Sequence, residues 1–294
     1  MPAYNAARFI GESIESVLSQ TYANLNLYVV DDGSTDQTGD VVSSFSDDRI
    51  TYLRREHGGP SAARNTGLAA SRAPFVAFLD ADDRWRPAKL AAQVDMLERE
   101  PSVGIVHGFQ VTIDAAGAPV VERRGGLRGY VFNDLLRGNI VTGSASIVLV
   151  RRSAFDRLGP FREDLHVAED WEMWLRIARV YAFDHVPEVL VEVRAHDQGL
   201  QQNLPLMAEG RIRMYDDVVA SMNLSGRQRA RIARACFTPS VYDFALSEQP
   251  TRALQAFLRL LAIDPSAVSE LKSARYYLSI LLLAVKEQRR VLRS

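Results

Sequence analysis

Phe75-Val76-Ala77-Phe78-Leu79-Asp80-Ala81-Asp82-Asp83 is an unbroken apolar run that ends in a cluster of carboxylates. A strand with one face in water alternates polar and apolar residues, so a continuous run reads as a strand covered on both faces. Such strands belong to sheets sandwiched between helices, which place their ligand sites at the carboxyl ends of the strands. Here that end carries Asp80, Asp82 and Asp83.

The flanking sequence supplies the rest of such a sheet. Before the run, residues 50–53 and 25–30 read as short buried strands, and residues 38–45 and 61–70 have helical composition. Phe9, Ile10, Ile14, Val17 and Leu18 fall at helical spacing within residues 6–20. After the run, residues 87–99 are helical and 104–109 extended. The expected fold is α/β, a mostly parallel sheet with helices on both faces. Beyond residue 115 the alternation weakens: residues 117–129 read as a loop and 143–150 as a further strand. After Asn203 only helical texture remains. Ala253, Phe257, Leu258, Leu260 and Leu261, closed by Asp264-Pro265, look like one hairpin of the tetratricopeptide kind. The expected division is residues 1–205 as the α/β domain and 206–294 as a helical region.

Composition bounds the function. The 294 residues are 47% hydrophobic and 24% charged with a net charge of −1, an ordinary globular balance that gives no basic excess for nucleic acid. Residues 1–208 hold roughly 21 basic and 28 acidic residues, and the remainder roughly 14 and 8, so an acidic front precedes a basic tail. The single cysteine, Cys236, can form neither an internal disulfide nor a thiolate metal cluster, which fits a reducing, cytoplasmic compartment. The longest apolar stretch, 276–285, is about half of what a membrane span needs. Followed by Lys286, Arg289, Arg290 and Arg293, it could rest on an anionic membrane as a basic helix, or pack on its own domain.

Asp31-Asp32 closes the strand at 25–30 as Asp80 to Asp83 closes the next, which puts both clusters on one sheet edge. The plain alternative is a turn and a helix cap: Gly33 supplies a positive φ, Ser34, Thr35 or Asp36 caps one helix, and Asp82 or Asp83 caps another. Gathering several carboxylates costs repulsion that a cation or a hydrogen-bonding ligand must offset. An Asp-x-Asp pair suits Mg²⁺ or Mn²⁺, which bind through one or two carboxylates plus substrate phosphates. An EF-hand is excluded because, counting from Asp80, Trp85 and Ala91 stand where glycine and glutamate are required. Glu169-Asp170-Trp171 opens an aromatic-rich helix. It reads either as a favourable acidic helix start or as a general base held by a rigid helix end.

Five segments in order, Pro2-Ala3-Tyr4-Asn5, Val30 to Asp36, Gly58 to Gly67, Phe78 to Asp83 and Glu169-Asp170-Trp171, resemble the inverting family 2 glycosyltransferases of GT-A fold over residues 1–200. The resemblance implies that Pro2, Ala3 and Tyr4 border the nucleobase of a UDP- or dTDP-sugar, with Asp32 and Asp31 hydrogen-bonding it. Arg64 would reach the nucleotide, Asp80 and Ala81 would lie near the ribose, and Asp82 would hold the metal, joined by His196 in some relatives. Asp170 would be the base. Glu169, Trp171, Gly143 and Ser144 would border a glycan or lipid-linked acceptor. Relatives also carry an apolar strand directly before the Pro-x-Tyr-Asn segment, so the resemblance implies a sheet lacking its first strand. In-frame upstream codons for such a strand would test that. Two rivals remain: a catalytically inactive nucleotide-sugar binder, and a sugar-phosphate nucleotidyltransferase, which needs a glycine-rich basic loop that residues 2–8 do not offer.

Overall fold

The computed structural model describes residues 1–141, 145–196, 199 and 202–270. They fall into two compact units: residues 1–135 with 139–196, and residues 136–138 with the chain from 197 onward.

The first unit opens as the alternation requires. Strand β1 (Pro2–Ala3), helix α1 (Ile10–Leu18), strand β2 (Leu27–Asp31), helix α2 (Thr38–Ser43), strand β3 (Ile50–Arg54) and helix α3 (Pro60–Ala70) form a three-stranded parallel sheet of order β1-β2-β3. Pro2 and Ala3, expected to follow a strand, form a short one themselves, paired with Val30 and Asp31. α1 is a core helix because Ile10, Ile14 and Val17 share one buried stripe.

A second sheet follows: β4 (Phe75–Ala77), β5 (Arg84–Trp85), helix α4 (Lys89–Arg99), β6 (Val103–Ile113), β7 (Pro119–Arg123), helix α5 (Phe132–Leu135), β8 (Leu149–Arg151), helices α6 (Arg152–Leu158) and α7 (Glu169–Ala178), and β9 (Ala182–Arg194). Its order is β4-β8-β6-β9-β5, with β7 paired to β6. The parallel pairing expected of most of the sheet holds in the first sheet and between β6 and β9. The other pairings of the second sheet are antiparallel; only β6 and β7 are joined as a hairpin, and β4–β8, β5–β9 and β6–β8 are pairings between strands distant in sequence.

Three local readings change. Phe78 and Leu79 are buried but lie beyond β4, in the loop that carries the aspartates. β7 lies within the expected loop 117–129, and the expected strand 143–150 resolves into a 3-10 turn (Ala145–Ile147) and β8. β2 and β4 sit in different sheets, and between them runs a cavity of about 380 Å³ lined by Val17, Val30, Leu79, Leu90, Val94 and Leu149.

The second unit contains helices α8 (Leu204–Ser221), α9 (Gly226–Leu246) and α10 (Pro250–Ile263). α9 begins with a full capping box, Ser225 accepting from the Gln228 N–H while the Gln228 side chain accepts from the Ser225 N–H. Cys236 is fully buried in α9, and burial pushes its thiol well above the ordinary range, as expected of a core residue. No described helix is long and apolar enough to cross a membrane, and the basic stretch at 286–293 lies outside the described residues.

Candidate active site

Asp31 and Asp32 close β2 and are both almost fully buried. Asp31 accepts from the Ser34 N–H at 2.7 Å and the Tyr52 hydroxyl at 2.5 Å, and these bonds hold its carboxyl below the usual range against the effect of burial. Asp32 accepts from the Gly59 N–H at 2.7 Å and the Gly58 N–H at 3.1 Å, and pairs with Arg55 and His57. Gly33 takes φ +82°, as the turn reading requires. Asp32 therefore locks the end of β2 to the residues entering α3, while Asp31 ties it to the following turn and to β3.

The segment from Asn5 to Ala7 is stitched to the same turn. The N–H groups of Asn5, Ala6 and Ala7 donate to Ser34 Oγ, Thr38 Oγ1 and Asp36 Oδ2 at 2.8–3.0 Å. This fixes Tyr4, half exposed, with its ring 4.3 Å from that of His57. The result is a two-ring aromatic platform at the sheet edge beside Asp32.

The loop after β4 is held from several sides. Ser146 Oγ donates to Asp83 at 2.6 Å and accepts from the Asp80 N–H at 3.0 Å. The Arg194 N–H donates to Asp83 at 3.0 Å, while its guanidinium donates to the Asp82 carbonyl and to Glu12. Ser13 donates to the Ala81 carbonyl at 2.9 Å. Asp83 does not cap a helix: the residue before α4 is Ala88, with no side-chain cap. It is buried, and burial together with the charges of Asp82 and Asp80 raises its carboxyl well above the usual range.

Asp82 is raised too, by burial and then by Asp80, with partial relief from His196. Its Oδ2 lies 2.8 Å from His196 Nε2, while His196 Nδ1 is buried without a hydrogen-bond partner among the described residues. Among those residues no three histidine, cysteine or acidic side chains gather as one metal site. One carboxylate oxygen and one imidazole nitrogen nonetheless converge there.

Arg64 joins the two halves. From α3 it reaches Asp80 Oδ1 at 2.9 Å and Glu169 Oε1 at 2.6 Å, is 6% exposed, and is held firmly charged by that pair. Asp170, beside Glu169, accepts from the Trp171 N–H at 2.6 Å and from Asn139 Nδ2 at 3.3 Å. Burial first and the Glu169 charge second push its carboxyl up to about 7. Trp171 is buried and donates to the Leu135 carbonyl, and Ala168, at φ 60°, turns the chain into α7. Gly143 and Ser144 lie outside the described residues.

Comparison with known proteins decides which family built this site. The family model described as Glycosyl transferase family 2 matches residues 1–159. The chain belongs to glycosyltransferase family 2. Family members similar to it include the Escherichia coli UDP-Glc:alpha-D-GlcNAc-diphosphoundecaprenol beta-1,3-glucosyltransferase WfgD, 38% identical over 180 residues that cover 61% of this chain and 68% of that protein. A glycosyltransferase of Rickettsia felis is 29% identical over 214 residues, 67% of this chain, which spans only 34% of that relative. Among solved structures, S. aureus TarS 1-349 with UDP-GlcNAc superposes with TM-score 0.68 at 19% identity, covering 97% of this chain and 86% of that one. The Pyrobaculum calidifontis mannosyltransferase PcManGT with GDP-Man and Mn²⁺ gives 0.61 at 22%, covering 97% and 84%. The family 2 chain thus has the GT-A fold.

Several residues of this candidate site gave no signal in the sequence. His57 and Arg55 stand next to the Gly58-Gly59 segment, but only the fold brings them to Asp32. Ser146 and Glu12 are common residue types whose partners lie 63 and 182 positions away.

Proposed function

We propose that the chain moves a glycosyl group from a UDP- or dTDP-sugar to the hydroxyl of a lipid-linked or glycan acceptor, with inversion at the anomeric carbon. The observation that carries this is the buried Arg64 bridge, which ties Asp80 at the sheet edge to Glu169 beside Asp170. A donor-side aspartate and a candidate base are thereby held in one rigid unit, the pre-organisation that a displacement requires.

Tyr4 and His57 offer the base a stacking surface beside Pro2 and Ala3. Asp31 and Asp32 act chiefly by shaping that pocket, since their oxygens already hold backbone and side-chain donors. Asp82 and His196 fit a divalent ion such as Mg²⁺ or Mn²⁺: they provide oxygen and nitrogen donors 2.8 Å apart, and Nδ1 of the same imidazole is orphaned. Such an ion, when bound, neutralises charge on the departing diphosphate. Asp170, with its carboxyl pushed up to about 7, takes the proton from the acceptor hydroxyl as that oxygen attacks from the face opposite the leaving group. The names of WfgD and TarS, with a UDP-sugar and with UDP-GlcNAc, support a uridine donor, and WfgD supports a diphosphate-lipid acceptor.

The test is transfer or slow hydrolysis of UDP-sugars with Mn²⁺. Asp170→Asn should abolish transfer while leaving UDP binding intact. Turnover in that variant equal to the intact chain would sink the assignment.

A further inference from the structure

β7 and the segment after it differ from every other part of the second sheet. All five residues of β7 are exposed, although its partner β6 is almost wholly buried. Successive side chains of a strand point to opposite faces, so Val120 and Val121, 65% and 46% exposed, present apolar surface on both sides of the hairpin. A strand that serves a core buries one of its faces; β7 buries neither. Farther along the chain Tyr130 is 73% exposed and Leu127 39%, so the segment after β7 also presents apolar surface.

The charge of this segment is basic on balance. Across residues 119–130 stand Arg123, Arg124 and Arg128 against the single acid Glu122. Arg124 and Arg128 pair with Glu122 and Asp184, yet their side chains remain 73% and 65% exposed. Exposed valines, a tyrosine and arginines together match the boundary of an anionic bilayer, where aliphatic and aromatic groups enter the interface and guanidinium groups meet phosphate. A solvated loop needs no such valines.

The placement gives the patch a use. At one end the hairpin turn holds the Arg194 guanidinium through the Asp114 and Ala115 carbonyls, next to Asp82 and Asp83. At the other, Gly129 pairs with Phe183 and the chain runs on into α5, whose Leu135 carbonyl accepts from Trp171 beside Asp170. The segment that carries the patch thus runs from the turn that holds Arg194 to the helix that holds Trp171, beside Asp170.

We propose that the β6–β7 hairpin and residues 124–130 form a docking surface for an anionic membrane, seating the site over an acceptor whose lipid is anchored there. The surface stands on its own residues; its purpose rests on the lipid-linked acceptor reading above. The full chain is floated with vesicles of phosphatidylcholine alone or mixed with phosphatidylglycerol, beside the double variants V120D/V121D and R123E/R124E. The intact chain should float with the mixed vesicles, less so as salt rises, and each variant should lose about tenfold in the bound fraction. UDP-induced thermal shifts should be unchanged, which reports folding and the donor pocket. Variants that float like the intact chain, an intact chain that ignores anionic vesicles, or equal binding to neutral ones would each overturn the proposal. Flotation is read without turnover: binding that survives alongside failed transfer to a lipid-linked acceptor counts against the acceptor reading and leaves the docking surface standing.

Discussion

Asp170 has two neighbours that pull its proton affinity in opposite directions. Glu169 raises it and Arg64 lowers it, while burial sets the dominant upward push to about 7. A base must be ionised to act, so kcat/KM should rise with pH through an inflection near 7 and flatten above it. Glu169→Gln removes the raising charge and releases Arg64 from its nearer partner, so the inflection should move to lower pH; an unmoved profile would show that another group titrates. The same shift has a stability consequence. A carboxyl whose folded pKa lies above its unfolded value of about 3.9 penalises the folded state increasingly as pH rises between the two, and fully above the folded value. The Tm gain of Asp170→Asn over the intact chain should be small near pH 4, grow to about pH 7 and then level off. Comparing two chains at each pH cancels the opposing titrations of His107 and Lys89, both lowered by burial. At the neighbouring pair, His196→Ala should leave UDP-sugar turnover detectable but raise the Mn²⁺ concentration needed by about tenfold or more, since it removes one of two protein donors.

At the scale of elements, the sequence was legible wherever a periodic pattern coincided with a packed face. The α1 stripe and the β2 run lie where the pattern puts them, whereas of the apolar run at Phe75 only residues 75–77 form strand. β9, the 13-residue strand that brings Arg194 to the site, escaped because Asp184, His185, Pro187, Glu188 and Glu192 break up its apolar pattern. The structure accommodates them at a bulge: His107 pairs with His185 but Phe109 with Val189, so Pro187 falls between paired positions where no N–H is needed. β7 was illegible because it serves no core. Asp80, Asp82 and Asp170 stand out as candidates from their places at a strand end and a helix start and from the family resemblance, whereas Ser146, Glu12 and His57 depend on tertiary contacts that no local pattern encodes. A stability prediction belongs here as well. Gly67 lies inside α3, and a Cβ there would meet Val30 Cγ2 at 3.4 Å and Tyr28 Cβ at 3.8 Å, ordinary contact distances. Gly67→Ala should therefore stabilise the first unit by roughly 1 kcal/mol through helix propensity, seen as a higher denaturant midpoint at unchanged slope.

Across the whole molecule, the two units carry separate natural reporters. The chain has three tryptophans, Trp85, Trp171 and Trp174, and all lie in the first unit with the site; its one cysteine, Cys236, is buried in the second. Tryptophan fluorescence therefore follows the unfolding of the site-bearing unit, and thiol labelling follows the helical one. A ligand that binds only the folded state stabilises it by RT ln(1 + [L]/Kd), about 2.7 kcal/mol at a hundredfold excess over Kd. For a unit of this size that corresponds to roughly 5–10 °C in Tm. UDP with Mn²⁺ should raise the fluorescence-detected midpoint by that order. UDP alone should do less, because Asp82 and Asp80 then face the diphosphate without a cation between them. In Asp82→Ala the Mn²⁺ increment should vanish while the effect of UDP alone persists. The sign follows from charge: removing Asp82 deletes a metal donor but also relieves repulsion of the diphosphate. If the thiol-labelling midpoint moved and the fluorescence midpoint did not, the nucleotide would be binding in the helical unit, and the roles given to Asp80, Asp82 and Arg64 would fall together.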